Sequence, residues 1–201
     1  MRPSGRLAVL TLVCLTPLPL FADEARQHDG GFFMRFSPAF GASSTKIEDA
    51  FGQAELSGPA GAFEVALGYG VSRNFIVHAN LGAWSMVDPK LDLDGTEFPT
   101  DDLTMTLTCF GAGVTYYVGN SNIYLTASLG LANLTASLDD ESANTDMGFA
   151  VEAAVGKEWW IARHWGLGVG GVVNYHSVPD ADIDEKWSGT SFGIRLTLTM
   201  N

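Results

Sequence analysis

Few of the charged side chains that could do chemistry lie inside apolar, alternating stretches; Arg35, Glu64, Glu152 and Arg195 do. Charges removed from water must pair, because an uncompensated buried ion is costly. Such a set either holds a structure together or also gates a passage. Arg35 is expected to meet Glu64 and Arg195 from flanking segments and Glu152 from across an interior. A second possible chemistry is calcium binding. Asp92, Asp94 and Gly95, with Asp101 seven residues after Asp94, match part of a calcium loop, but Lys90 stands at its first ligand position. Acidic residues in such stretches usually serve solvation, so neither a metal nor a cofactor is expected.

The elements that would position these charges are strands. Segments 31–43, 59–71, 74–86, 103–118, 122–137, 147–160, 165–177 and 187–200 alternate apolar with small or polar residues, the period of a strand facing two media. Short turns at 72–73, 119–121 and 161–164 alternate strictly with long polar loops at 44–58, 87–102, 138–146 and 178–186. An antiparallel meander then puts every turn at one end and every loop, with most of the charge, at the other. Both termini fall at the turn end.

Facing decides the medium. Phe63, Val65, Leu67 and Tyr69 oppose Ala62, Glu64, Ala66 and Gly68, and Phe192, Ile194, Leu196, Leu198 and Met200 oppose Gly193, Arg195, Thr197 and Thr199. The apolar face carries no charge, and the other is small enough for a narrow interior. A soluble ligand-binding barrel, the lipocalin type, inverts this arrangement. The fourth segment is an exception, because Leu103, Met105 and Leu107 have one parity and Phe110, Ala112, Val114 and Tyr116 the other. Either a β-bulge near Cys109 restores the register or the Leu103 end stands above a bilayer. Aromatic residues gather at segment ends, as interfacial girdles require. Phe32, Tyr116, Trp159, Trp160 and Trp165 flank the turn end, and Phe40, Trp84, Tyr175 and Trp187 the loop end.

Residues 1–22 read as a secretory signal, with Arg2 and Arg6 before an apolar run that Pro17 and Pro19 interrupt; cleavage could come as late as residue 25. Residues 23–30 then form a short periplasmic segment, and residues 31–201 the barrel. Removing Arg2 and Arg6 takes the formal charge from −12 to −14, which excludes nucleic-acid binding by bulk electrostatics. Cys109 remains as the single cysteine, so no internal disulfide is available.

In these alternating turns and loops, and in its final amphipathic strand, the chain resembles the small Gram-negative outer-membrane barrels of the OmpA transmembrane domain, OmpX and OmpW type. The resemblance implies a closed eight-stranded antiparallel up-and-down barrel, monomeric, with outer-membrane lipid, lipopolysaccharide and the assembly machinery as partners. It implies a structural or surface-interaction role, or passage of a small apolar solute, and no enzyme activity. Such families typically end in an aromatic residue, whereas this chain ends Met200-Asn201. His176-Ser177 with Glu185 superficially resembles the lipid A deacylase set, but there the His and Ser stand two apart on one face. Adjacent residues point to opposite faces.

Overall fold

The computed structural model describes residues 30–49, 52–138, 141–181 and 183–201. The signal sequence, almost all of the 23–30 segment and Asp139, Asp140 and Asp182 of the loops lie outside them. Among the described residues there are eleven strands: β1 (Gly31–Asp49), β2 (Gly52–Ser72), β3 (Phe75–Val87), β4 (Lys90–Leu93), β5 (Thr96–Pro99), β6 (Leu103–Tyr117), β7 (Ile123–Leu138), β8 (Glu141–Asn144), β9 (Gly148–Ala162), β10 (Trp165–Pro179) and β11 (Lys186–Met200). Eight of them close a ring in the order β1, β2, β3, β6, β7, β9, β10, β11, with β11 returning to β1, all antiparallel. Closure leaves no edge within the ring.

The stagger of that ring sets who meets whom. Starting at Phe32, the row of ladder partners runs through Tyr69, Val77, Val114, Ala127, Ala153, Val173 and Phe192 and returns to β1 at Ala42, 10 residues further along. Arg195 therefore lies opposite Ala39, while Arg35 lies opposite Thr199, and the expected Arg35–Arg195 neighbourhood does not form. At this seam the partner series skips Ser37 and Pro38, and Pro38 has no N–H to give the ladder.

The outer wall is apolar over a band bounded by two aromatic rows. Phe32, Tyr69, Tyr116 and Trp159 are exposed at the turn end, and Phe40, Phe63, Phe110, Phe149, Tyr175 and Phe192 at the other. On the strands that carry both, the rows lie 6 to 10 residues apart; at about 3.3 Å rise and a tilt of about 40° that spans about 15–25 Å, within the height of the apolar band of an outer-membrane barrel. Trp165 also faces outward, half-buried. Three of the aromatics assigned to girdles do not face lipid. Trp84 is buried inside the ring. Trp187 is half-buried against the same core and donates its indole N–H to Asp180 Oδ2 at 2.8 Å. Trp160, on the inward parity, lies over Gly166.

No bulge occurs near Cys109, and β6 keeps one register against both neighbours. What changes is the surroundings. Above the upper aromatic row the polarity inverts, so that Ser85, Thr104, Thr106, Thr108 and Asn133 face out while Trp84, Met86, Met105, Leu107, Leu134 and Val178 form a buried apolar core inside. The barrel top is thus built like a soluble barrel, with polar residues outside and apolar ones inside. Register shifts occur instead at short turns, between Gly70 and Ser72 and between Trp165 and Gly166.

The long loops are more ordered than their polar composition suggests. The β1–β2 hairpin continues to the Asp49–Gly52 pair, and β4 and β5 add to β2, giving a four-stranded sheet above the ring. One face carries the row Thr45, Leu56, Leu91, Phe98, and the other Lys46, Glu55, Asp92, Glu97. Asp94-Gly95 closes the β4–β5 hairpin at φ 51° and 88°, positive at both central residues as a type I′ turn requires. Strand β8 folds back on β7.

Candidate functional site

The inward parity of eight strands lines a lumen that two ionic layers cross. In the layer nearer the turns, Arg35 is fully buried and its Nη2 lies 3.2 Å from Glu158 Oε1. The same guanidinium donates from Nη2 to Tyr117 Oη at 3.0 Å, from Nε to Thr199 Oγ1 at 3.2 Å and from Nη1 to Thr126 Oγ1 at 3.2 Å. It also stacks 4.6 Å over the Tyr124 ring and 5.1 Å from that of Phe33. Glu158 is equally enclosed, accepting from Tyr117 Oη at 2.8 Å and Thr199 Oγ1 at 2.7 Å. With Nη1 also donating to Thr115 Oγ1 at 3.4 Å, every donor in the fork meets an acceptor, the condition under which a buried pair is tolerated.

The second layer holds Arg195 between two carboxylates. Nη2 donates to Glu152 Oε1, and Nη1 lies 3.4 Å from Glu64 Oε1, while Asn80 Nδ2 donates to Glu64 Oε2 at 3.0 Å. Ser37 Oγ, Asn80 Oδ1, Ser128 Oγ, Asn174 Oδ1 and Arg195 Nε make no hydrogen bond to protein and line a cavity of about 20 Å³ here. That volume is polar and holds about one water.

Of the four charges expected to form one network, the structure brings together Glu64, Glu152 and Arg195. Arg35 goes instead to Glu158, because the ring's stagger places Arg35 nearer the turns. Glu158 has the inward parity of Glu152 and is the functional residue the strand reading passed over. Lys157 beside it faces outward, so the lipid-facing wall is not free of charge as expected.

The other candidates are not assembled. His176 points into the ring with Nε2 3.1 Å from Thr45 Oγ1, and Ser177 is on the opposite parity. Asp92 Oδ1 accepts the Gly95 N–H at 2.7 Å and Asp94 Oδ1 the Gln53 N–H at 3.0 Å. These carboxylates hold turns, and among the described residues no three acidic, His or Cys side chains are placed to hold a metal ion. Above the ring, Met105, Leu134, Ala136, Ala143 and Trp187, with Asn144, Thr145 and Asp180, line a cavity of about 120 Å³ at the mouth.

No protein-family model matches the sequence, and no curated protein matches it significantly. Solved structures do match in shape. Neisserial surface protein A (NspA) aligns over 83% of this chain and 97% of its own, at 15% identity and TM-score 0.52. The outer membrane protein OprG from Pseudomonas aeruginosa aligns over 89% and 99%, at 12% identity and TM-score 0.45. The attachment invasion locus protein Ail of Yersinia pestis aligns over 81% and 97%, at 14% identity and TM-score 0.41. Ring, stagger, facing and the first of these matches agree: the chain has the fold of the small eight-stranded outer-membrane β-barrels.

Proposed function

We propose that the protein is a plugged, non-catalytic barrel of the Gram-negative outer membrane, monomeric, with periplasmic termini, and that it works through the acidic sheet and loops at its outer end. The observation that carries this reading is the pair of ionic layers across the lumen, with room beside the second for about one water. A pore needs a continuous wet path, and the ion pairs that cross the lumen in both layers argue against one. Its natural partners are lipid and lipopolysaccharide around the wall, the assembly machinery during insertion, and a surface partner at the loops.

Purified protein in planar bilayers is expected to show no unitary conductance. Neutralising the second layer as Glu64→Gln or Glu152→Gln tests gating, and a marked rise in conductance would assign that role. Unchanged conductance leaves the network purely structural, and an open wild-type channel overturns the plugged reading. The apolar side of the mouth cavity, Met105, Leu134 and Trp187, supports a second reading, uptake of a small apolar solute from outside. For that solute the polar layers form the barrier, so binding without transport is the expected behaviour.

A further inference from the structure

The β9–β10 hairpin concentrates two residue types that are scarce elsewhere. Between Lys157 and Trp165 it carries three of the chain's 5 tryptophans together with Lys157, Arg163 and His164, in a protein of net charge −12. His164 is engaged by Asn201, its Nδ1 lying 3.3 Å from Asn201 O. Lys157 stands on the outer wall between Ile123 and Val169, its ladder partners on either side. A cation there is tolerated only near an interface, where its stem lies along apolar wall and its ammonium reaches polar headgroups. The geometry agrees, since Lys157 Nζ lies 5.9 Å from the centre of the Trp159 ring, and Trp159 belongs to the aromatic row at the turn end.

Directly above Lys157 the wall is hollow. Ala153, Val155 and Gly171, flanked by Leu125 and Val173, form an apolar groove of about 520 Å³. A side chain at Gly171 would meet nothing within 4 Å, so the glycine opens the groove rather than relieving a contact. A cation at headgroup level with an apolar channel running from it toward mid-bilayer is the shape of one lipid.

We propose that this face binds a single anionic phospholipid of the periplasmic leaflet, its phosphate on Lys157 beside Trp159, with Arg163 contributing charge from the turn, and an acyl chain in the Ala153–Gly171 groove. The proposal rests on the periplasmic placement of the short turns made above, but its test does not. Charge attraction is worth about fivefold in affinity per basic residue at a membrane surface.

The test is native mass spectrometry of the full chain in detergent, with phosphatidylglycerol and phosphatidylcholine of matched chains added separately. One phosphatidylglycerol is expected to be retained in preference to phosphatidylcholine. Lys157→Gln should reduce that preference about fivefold, Lys157→Gln with Arg163→Gln further, and Arg73→Gln, at another short turn, should leave it unchanged. Gly171→Leu should weaken retention of both lipids without altering the preference. Equal retention of the two lipids by the unaltered protein overturns the proposal with no variant needed. An Arg73→Gln effect as large as that of Lys157→Gln does so too, by reducing the site to net charge.

Discussion

Arg35 and Glu158 are both sealed from water, so each is tolerated only because of the other and of the hydroxyls around them. Glu158→Gln keeps the shape and removes the charge, leaving a buried guanidinium facing a neutral amide. Breaking such a pair from one side costs about 3–5 kcal/mol, which should appear as a lower urea midpoint in micelles. Glu152→Gln should cost less, since Glu64 still lies 3.4 Å from Arg195; equal midpoints for the two variants would mean that the layers are not distinct. The inward direction of Glu158 was legible in the alternation that turns Glu152 inward. Its partner was not, because pairing across a closed ring depends on the stagger, which no single strand's pattern contains.

Strand β6 shows how one element can obey two environments without changing register. Below the upper aromatic row Ala112 and Val114 face outward, while above it Thr104, Thr106 and Thr108 face outward and Met105 and Leu107 inward. The inversion was visible in the sequence as a parity conflict, and its second explanation, a strand rising above the bilayer, is the one consistent with the unbroken register. Trp84 and Trp187 were misplaced for the same reason. Position near a strand end suggests a girdle, but above the band the apolar side is the inside. Three arginine substitutions on this strand, compared by unfolding in lipid vesicles, separate the zones. Ala112→Arg is expected to cost about 2–4 kcal/mol, and Thr106→Arg about 0–1. Met105→Arg, which would bury an unpaired charge, should be the worst of the three. A Thr106→Arg penalty as large as that of Ala112→Arg would put the barrel top inside the bilayer.

Taken whole, the molecule is polarised along its axis. The loop end displays Glu55, Asp88, Asp92, Asp94, Glu97, Asp101, Asp102, Glu141, Asp146, Asp180, Asp184 and Glu185 against Lys46, Lys90 and Lys186, while the turn end displays Arg73, Lys157 and Arg163. Basic turns suit an anionic phospholipid leaflet, and an acidic sheet suits the opposite, water-facing side. The proposed orientation puts the acidic end outward, and the placement can be read directly with single cysteines in a background lacking Cys109. Thr96→Cys in β5 and Ser142→Cys in β8 are exposed at the loop end, and Asn120→Cys is exposed in a short turn. On intact cells a bulky, membrane-impermeant maleimide should label the first two and reach Asn120→Cys only after the outer membrane is permeabilised. The reverse pattern would take the acidic sheet off the cell surface, and with it the surface role. The lipid-binding face would then lie in the outer leaflet, where the detergent measurement would still report its preference for an anionic headgroup.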